Sequence, residues 1–150
     1  MTIFHSINTS TSALTAQRLR MDVVSANMAN AETTRANLVD GEWQPYRRKM
    51  VVMQENGKQS FASYLSKASM NPNIGAGVKV KQIADDQTPF MLVYNPEHPD
   101  ANEQGYVQMP NVDPLKEMVD LMSATRSYEA NVTTLNASKN MLLKALEIGR

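Results

Sequence analysis

The stretch "DPLKEMVDLMSATRSYEANVTTLNASKNMLLKALEIG", residues Asp113–Gly149, decides the fold. Met118, Leu121, Thr125, Tyr128, Val132, Leu135, Lys139, Leu142 and Leu146 recur at alternating steps of three and four. That spacing keeps one side of an α-helix turned toward a partner helix. The start is marked by Asp113 as N-cap, Pro114 at the first helical position and Glu117 in the first turn. Gly149 after Ile148 supplies a stop. At 1.5 Å per residue the helix is about 50 Å long.

A second helix is predicted from Ile3 to Met28. Ile3, Ile7, Ser10, Leu14, Gln17, Met21, Val24 and Met28 repeat the same spacing, with Ser10 and Gln17 as polar interruptions. A weaker row, Ala16, Leu19, Val23 and Ala26, is read as lying roughly opposite. A helix with two such rows expects neighbours on two sides. The two terminal helices pair as an antiparallel hairpin in this reading, and other copies or partner chains cover what the hairpin leaves open.

Between them the character changes. "YRRKMVVMQ", "GVKVKQI", "PFMLVY" and "GYVQM" are short strand-like runs, while "ENGKQSFASYLSKASMNPNIGAG" is polar and glycine-bearing. The expected class is therefore α+β. Long N- and C-terminal helices, residues 1–31 and 112–150, form a coiled-coil-like helical domain. Residues 32–111 form a small β-rich domain with a flexible segment at 55–76.

Composition removes several functions. Fifteen Lys and Arg balance fifteen Asp and Glu. A neutral chain lacks the basic surface that counterion release rewards on nucleic acid, and it lacks a polybasic membrane anchor. There is no cysteine, so disulfides, thiolate catalysis and zinc–sulfur sites are excluded. No apolar run approaches the ~20 residues that span a bilayer. The N-terminus lacks the basic region and apolar core of a secretory signal, which leaves a cytoplasmic protein or export without a cleaved signal.

The loop "NPEHPDANEQGYVQMPNVD", Asn95–Asp113, sets His98 among Glu97, Asp100, Glu103 and Asp113. A metal-dependent enzyme using His98 is one reading of it. Histidine–carboxylate sites usually gather two or more histidines, and the other one, His5, is far off in sequence. A rigid turn is the stronger reading, in which Pro99, Gly105 and Pro110 fix the chain path and His98 and Asp100 tie the corner that leads to Asp113. Asp85 and Asp86 before Pro89 read as turn formers. Arg47, Arg48 and Lys49 after Tyr46 read as one solvated face or one interface ion-pair set rather than a phosphate site, with Tyr46, Arg47 and Arg48 at the hinge. There is no G-x-S-x-G elbow and no phosphate-binding glycine loop. No cofactor, small-molecule substrate, nucleic acid or inserted membrane segment is expected.

Two motifs then carry a resemblance. "SANMANAETT" at 25–34 resembles the N-x-A-N-A-x-T segment that ends the N-terminal helix of bacterial flagellar axial proteins. "EMVDLMSATRSYEANV" from Glu117 resembles their C-terminal signature, E-M-V followed by R-x-Y-E-x-N. Within that group, "YRRK" at 46–49 and "NPEHPDANEQGYVQMPNV" at 95–112 resemble the basal-body rod proteins. The resemblance covers nearly all of the chain except residues 55–75. It implies a non-enzymatic subunit of the flagellar basal body, exported unfolded by the flagellar type III apparatus and polymerising outside the cytoplasmic membrane. Its partners would be other copies and other rod proteins; another rod or hook subunit is the neighbouring possibility. The terminal helices would form the inner tube, through Ile7, Leu14, Met21, Val24, Asn27, Met28 and Asn30 on the first helix. On the second, Met118, Leu121, Tyr128, Val132, Leu135, Leu142 and Leu146 would serve, and Asn27, Asn30, Arg126, Glu129 and Asn131 are expected to hydrogen-bond between helices or subunits.

Overall fold

The structure is a computed structural model and describes residues 3–39, 41–56 and 77–148. The element order is α1 (Ile3–Ala29), β1 (Asn37–Val39), β2 (Glu42–Gln44), β3 (Lys49–Glu55), β4 (Val78–Asp85), β5 (Met91–Tyr94), β6 (Tyr106–Met109) and α2 (Pro114–Ile148). The α+β class with long terminal helices around a small β-rich middle is as expected. Most of the segment expected to be flexible, 55–76, lies outside the described residues; Glu55 ends β3 and the Asn56 N–H donates to the Gly77 carbonyl at 2.9 Å.

The strands form three separate two-stranded antiparallel ladders, β1–β2, β3–β4 and β5–β6, rather than one sheet. An isolated hairpin is marginal in water, so each depends on what it packs against. The β1–β2 hairpin was not anticipated, although Asp40–Gly41 between two short runs is the strongest local hairpin signal. Gly41 has φ of 89°, the left-handed region that such two-residue connections require. β5 begins at Met91 and not Pro89, since proline has no N–H to give a ladder. The Phe90 ring instead lies under the Arg47 guanidinium, 4.6 Å from its centroid.

The chain divides into two compact units. One comprises Met1–Leu19, Val52–Gln82 and Ser123–Arg150. Its buried residues are small: Ser10 and Ala16 on α1, Ala124 and Ser138 on α2. The Ser6 and Ser138 hydroxyls meet at 3.4 Å. Gly77, at φ 80°, runs so close to α1 that a Cβ there would strike the Ser12 hydroxyl. That hydroxyl accepts the Val78 N–H at 3.0 Å and donates to the Thr9 carbonyl at 2.7 Å.

The other unit comprises Arg20–Val51 and Ile83–Met122. Val23, Val24, Val107, Val112 and Pro110 are buried there together with two polar side chains, Asn27 and Glu117. Within it Arg20 meets Asp120 and Asn27 meets Glu117, so α1 and α2 run antiparallel along this stretch.

On both helices the buried arc takes in part of the apolar-spaced row and extends to one side of it. On α2 the buried positions are Glu117, Ala124 and Ser138, while Met118 is half exposed and Lys139 is exposed. These small and polar residues lie seven apart or in multiples of seven. They share the seam with Leu121, Tyr128, Leu135 and Leu142. On α1, Val23 from the second row and Val24 from the first are both buried beside Asn27. The buried members of the two rows, with Asn27 between them, make one arc. Close helix approach favours small side chains over large apolar ones, and hydrophobicity alone does not report that.

Candidate functional site

The densest polar arrangement joins the end of α1, the entry to β3 and the start of α2. Asn27, 1% exposed, is at its centre. Its Oδ1 accepts the Tyr46 hydroxyl at 2.9 Å and the Lys49 N–H at 3.0 Å. Its Nδ2 donates to the Lys49 carbonyl and to Glu117 Oε2, each at 2.9 Å. Both amide donors and both oxygen lone pairs are used. Flipping the carboxamide would set its NH2 against the Lys49 N–H, so the orientation is fixed by its partners. The side chain pairs with the Lys49 peptide as a neighbouring strand would.

Glu117 has no exposed surface. A buried carboxylate needs charge and hydrogen bonds to replace lost water. Arg48 Nε donates to Glu117 Oε1 at 2.6 Å, opposite the bond from Asn27. The same guanidinium reaches Asp86 Oδ2 and Asp120 Oδ2, each at 3.5 Å. Asp120 also accepts from Arg20 at 2.7 Å. Asn111 Oδ1 takes the Arg48 N–H at 2.8 Å, while its Nδ2 donates to the carbonyls of Asp86 and Thr88.

The electrostatics follow from these contacts. Burial, with the nearby charges of Asp85 and Glu117, pushes the Tyr46 phenol up, so it stays a neutral donor to Asn27. Burial disfavours the Arg48 cation, but Glu117 and Asp86 outweigh it and the net shift is upward. Asp86 is held below the ordinary carboxylate range by the Thr88 hydroxyl and N–H, and then by Arg48. The turn expected at Asp86 forms through the bond from the Thr88 N–H at 3.0 Å.

The proline-bounded loop makes a second polar centre in the same unit. The Asn95 carbonyl accepts the His98 N–H at 3.2 Å, and His98 Nδ1 accepts the Asp100 N–H at 3.1 Å. The same Nδ1 lies 3.9 Å from Asp100 Oδ2. Asp100 accepts the Thr34 hydroxyl at 2.7 Å and Arg35 Nε at 2.6 Å, with Arg35 Nη2 also in contact. Those bonds, Arg35 first, hold the Asp100 carboxyl below its usual range. Gly105, at φ 79°, closes the loop against Tyr94, where a Cβ would come to 3.0 Å from Tyr94 Cε2. Thr34, Arg35, Trp43, Asp100 and Tyr106 are among the residues around an open groove of about 410 Å³.

Several expected site residues meet in these two centres and several do not. Asn27, Tyr46 and Arg48 come together, while Arg47 lies over Phe90 and donates to the Asp86 carbonyl at 3.3 Å. Pro110 is buried, Pro99 is exposed, and Asp113 caps α2 by accepting the Leu115 N–H at 3.0 Å. Among the described residues, the Asn30 side chain bonds only near itself, to the Ala26 carbonyl and from the Thr33 hydroxyl; Asn131 bonds to the Ser127 carbonyl. Arg126 and Glu129 are exposed and their side chains have no partner among the described residues. Ile7, Leu14, Met21, Met28, Leu121, Tyr128, Val132, Leu135 and Leu142 are half-buried, Val24 is buried, and Met118 and Leu146 are exposed.

Glu117, Asn111, Asp86 and Asp120 were missed as members of the centre. Glu117 reads as a favourable first-turn acid, a role that needs no partner. Its place in a row with Ala124, Asn131 and Ser138 is the one local sign that it faces inward. The pairing with Arg48, 69 residues away in the chain, has no local signal.

Residues 7–36 match the family described as flagella basal body rod protein. Residues 103–148 match the flagellar basal body rod FlgEFG protein C-terminal family. Asn27 lies in the first match and Asn111, Glu117 and Asp120 in the second, while Tyr46 and Arg48 lie between them. The chain is 66% identical to the flagellar basal-body rod protein FlgC of Bacillus subtilis (strain 168), covering 100% of both chains. It is 43% identical to FlgC of Escherichia coli O6:H1, again over 100% of both. Identity to FlgC of Borreliella burgdorferi is 42%, over 99% of this chain and 98% of the relative. On this full-length similarity, the chain belongs to the FlgC family of flagellar basal-body rod proteins.

Proposed function

We propose that the chain is a structural subunit of the flagellar basal-body rod that is exported unfolded and polymerises through its terminal helices. Full-length identity to rod proteins carries the rod-subunit part. The geometry supports a structural role. Two buried polar side chains, Asn27 with all four of its hydrogen bonds made and Glu117 held by Asn27 and Arg48, connect one element to another.

In this reading residues 1–31 and 112–150 form the inner tube and residues 32–111 the outer domain. The Asn27–Arg48–Glu117 centre is the hinge that fixes the angle between them. The flagellar type III apparatus is the export partner, and the neighbours in the basal body are other copies and other rod proteins. A long helix pair with little large apolar surface at its seam gains modestly from pairing alone. Neighbouring subunits then supply the remainder of the burial.

A strain lacking this chain tests the proposal. It should be non-motile and should hold basal bodies without a complete rod, and expression of the chain should restore both. Normal motility and complete rods in the deletion strain would overturn it.

A further inference from the structure

Opposite its buried arc, α1 carries a row at alternating steps of four and three. It runs from Phe4 through Arg18 and Asp22 to Ala29, and every member is exposed. α2 carries a row of the same spacing opposite its own seam, from Val119 through Met122, Arg126 and Glu129 to Leu143, again exposed throughout. Each row is a property of one continuous helix. Arg18, Asp22, Arg126 and Glu129 form no side-chain hydrogen bond or ion pair among the described residues.

The two rows are complementary in one alignment. Set antiparallel with Asp22 against Arg126, they bring Arg18 against Glu129. The same register lays Ser25 and Ala29 against the larger Met122 and Val119, and Phe4 against Leu143 at the far end. Polar positions between, such as Thr15 and Thr133, also fall opposite each other. A parallel alignment sets Arg18 on Arg126 and Asp22 beside Glu129, which like charges oppose. Two copies of α2 face to face pair their charges but set Met122 on Thr133 and Val119 on Asn136. Two copies of α1 leave Phe4 beyond the end of the partner helix.

We propose that the exposed row of α1 docks antiparallel on the exposed row of α2 in a second copy of the chain, with Asp22–Arg126 and Arg18–Glu129 setting the register. The contact is heterologous, because each copy offers one row to each of two neighbours. Head-to-tail contacts of this kind extend into rings or helical filaments rather than stopping at a dimer. Seam charges act here as they do in coiled coils, by selecting partner and orientation. The proposal deepens the rod-subunit reading and rests on it for the presence of a second copy alongside.

The absence of native cysteine makes the test clean. Two versions of the chain, Ser25→Cys and Met122→Cys, are co-expressed with different tags in the deletion strain, and purified basal bodies are oxidised. The expected product is a mixed disulfide between the two versions, with either version alone giving at least tenfold less dimer. Basal bodies that contain both versions but no mixed disulfide overturn the proposal while leaving the rod-subunit reading intact. Ser25→Cys dimers without mixed dimers would instead place α1 on α1 and also overturn it. Absence of the chain from basal bodies would remove the reading beneath it. In a second arm, Asp22→Arg and Arg126→Asp should each lower swimming at least tenfold, and the two together should restore at least half. Single changes without effect, or a combination no better than either alone, overturn the register.

Discussion

The same two helices are held in two different ways. In the unit containing their chain-terminal halves the seam is Ser10, Ala16, Ala124 and Ser138, with close backbone approach at Gly77 and hydroxyl contacts. In the unit containing their other halves the seam is Asn27, Glu117, Arg48, Asp120 and Arg20. Small-residue seams stabilise through many weak dispersion contacts and tolerate slight sliding. A carboxamide with all four bonds made, and a buried carboxylate with its cation, permit one arrangement. One half therefore sets geometry, and the other leaves room to adjust.

The largest effect should come from breaking the geometric half. Arg48→Ala leaves the Glu117 carboxylate buried without its cation and should destabilise by about 4–5 kcal/mol, while Glu117→Ala should cost about 3 kcal/mol. The difference follows from exposure: the Arg48 side chain keeps 22% of its surface and can hydrate, whereas Glu117 keeps none. Urea denaturation of the two single variants and the double variant measures the coupling. The double loss should fall well short of the sum. Additive losses would mean that the pair does not act as a unit.

Filling the adjustable half should do less. Ala124 on α2 is 0% exposed. Ala124→Leu adds volume to a seam with no room for it, and overpacking of this kind costs about 1–3 kcal/mol. A loss as large as that of Arg48→Ala would show that the small-residue seam is as specific as the polar one, and the contrast would fail.

How much of this the sequence discloses divides along the same line. The helices are legible almost to the residue, because Asp113, Pro114 and the three–four spacing are local signals. Tyr106–Met109 and the Asp86 turn are legible for the same reason. The seam is legible in part: the three–four spacing finds Leu121, Tyr128, Leu135 and Leu142, but it also selects Met118 and Lys139 where packing selects Glu117 and Ser138. The polar centre is half legible. Asn27, Tyr46 and Arg48 stand in motifs that draw notice, but Glu117 satisfies a helix-start role so well that nothing suggests a second one. The hairpin at Gly41 was open to reading and was overlooked, because its strands are three residues each.

The smallest expected effect concerns acid. Among the described residues, the two carboxyls held below their usual range, Asp86 and Asp100, both lie in the unit with the polar seam. A carboxyl depressed by folding adds stability that is fully present above its unfolded pKa of about 3.9. That stability is lost as pH falls through the lower folded value. Acidification below about pH 4 should therefore loosen this unit first, and hydrogen exchange resolved by residue should show protection lost around Arg35 and Asp100 before Ser10 and Ala124. Asp100→Asn removes one of the two titrating groups. The stability gap between it and the parent chain, measured by denaturation, should be widest near pH 6 and narrow below pH 4. The gap should be small, since Arg35 is exposed and its ion pair is screened by solvent. A gap that stays constant with pH would mean that Asp100 holds the loop by shape alone. Earlier acid loss at Ser10 and Ala124 would reverse the assignment of which half is electrostatically held.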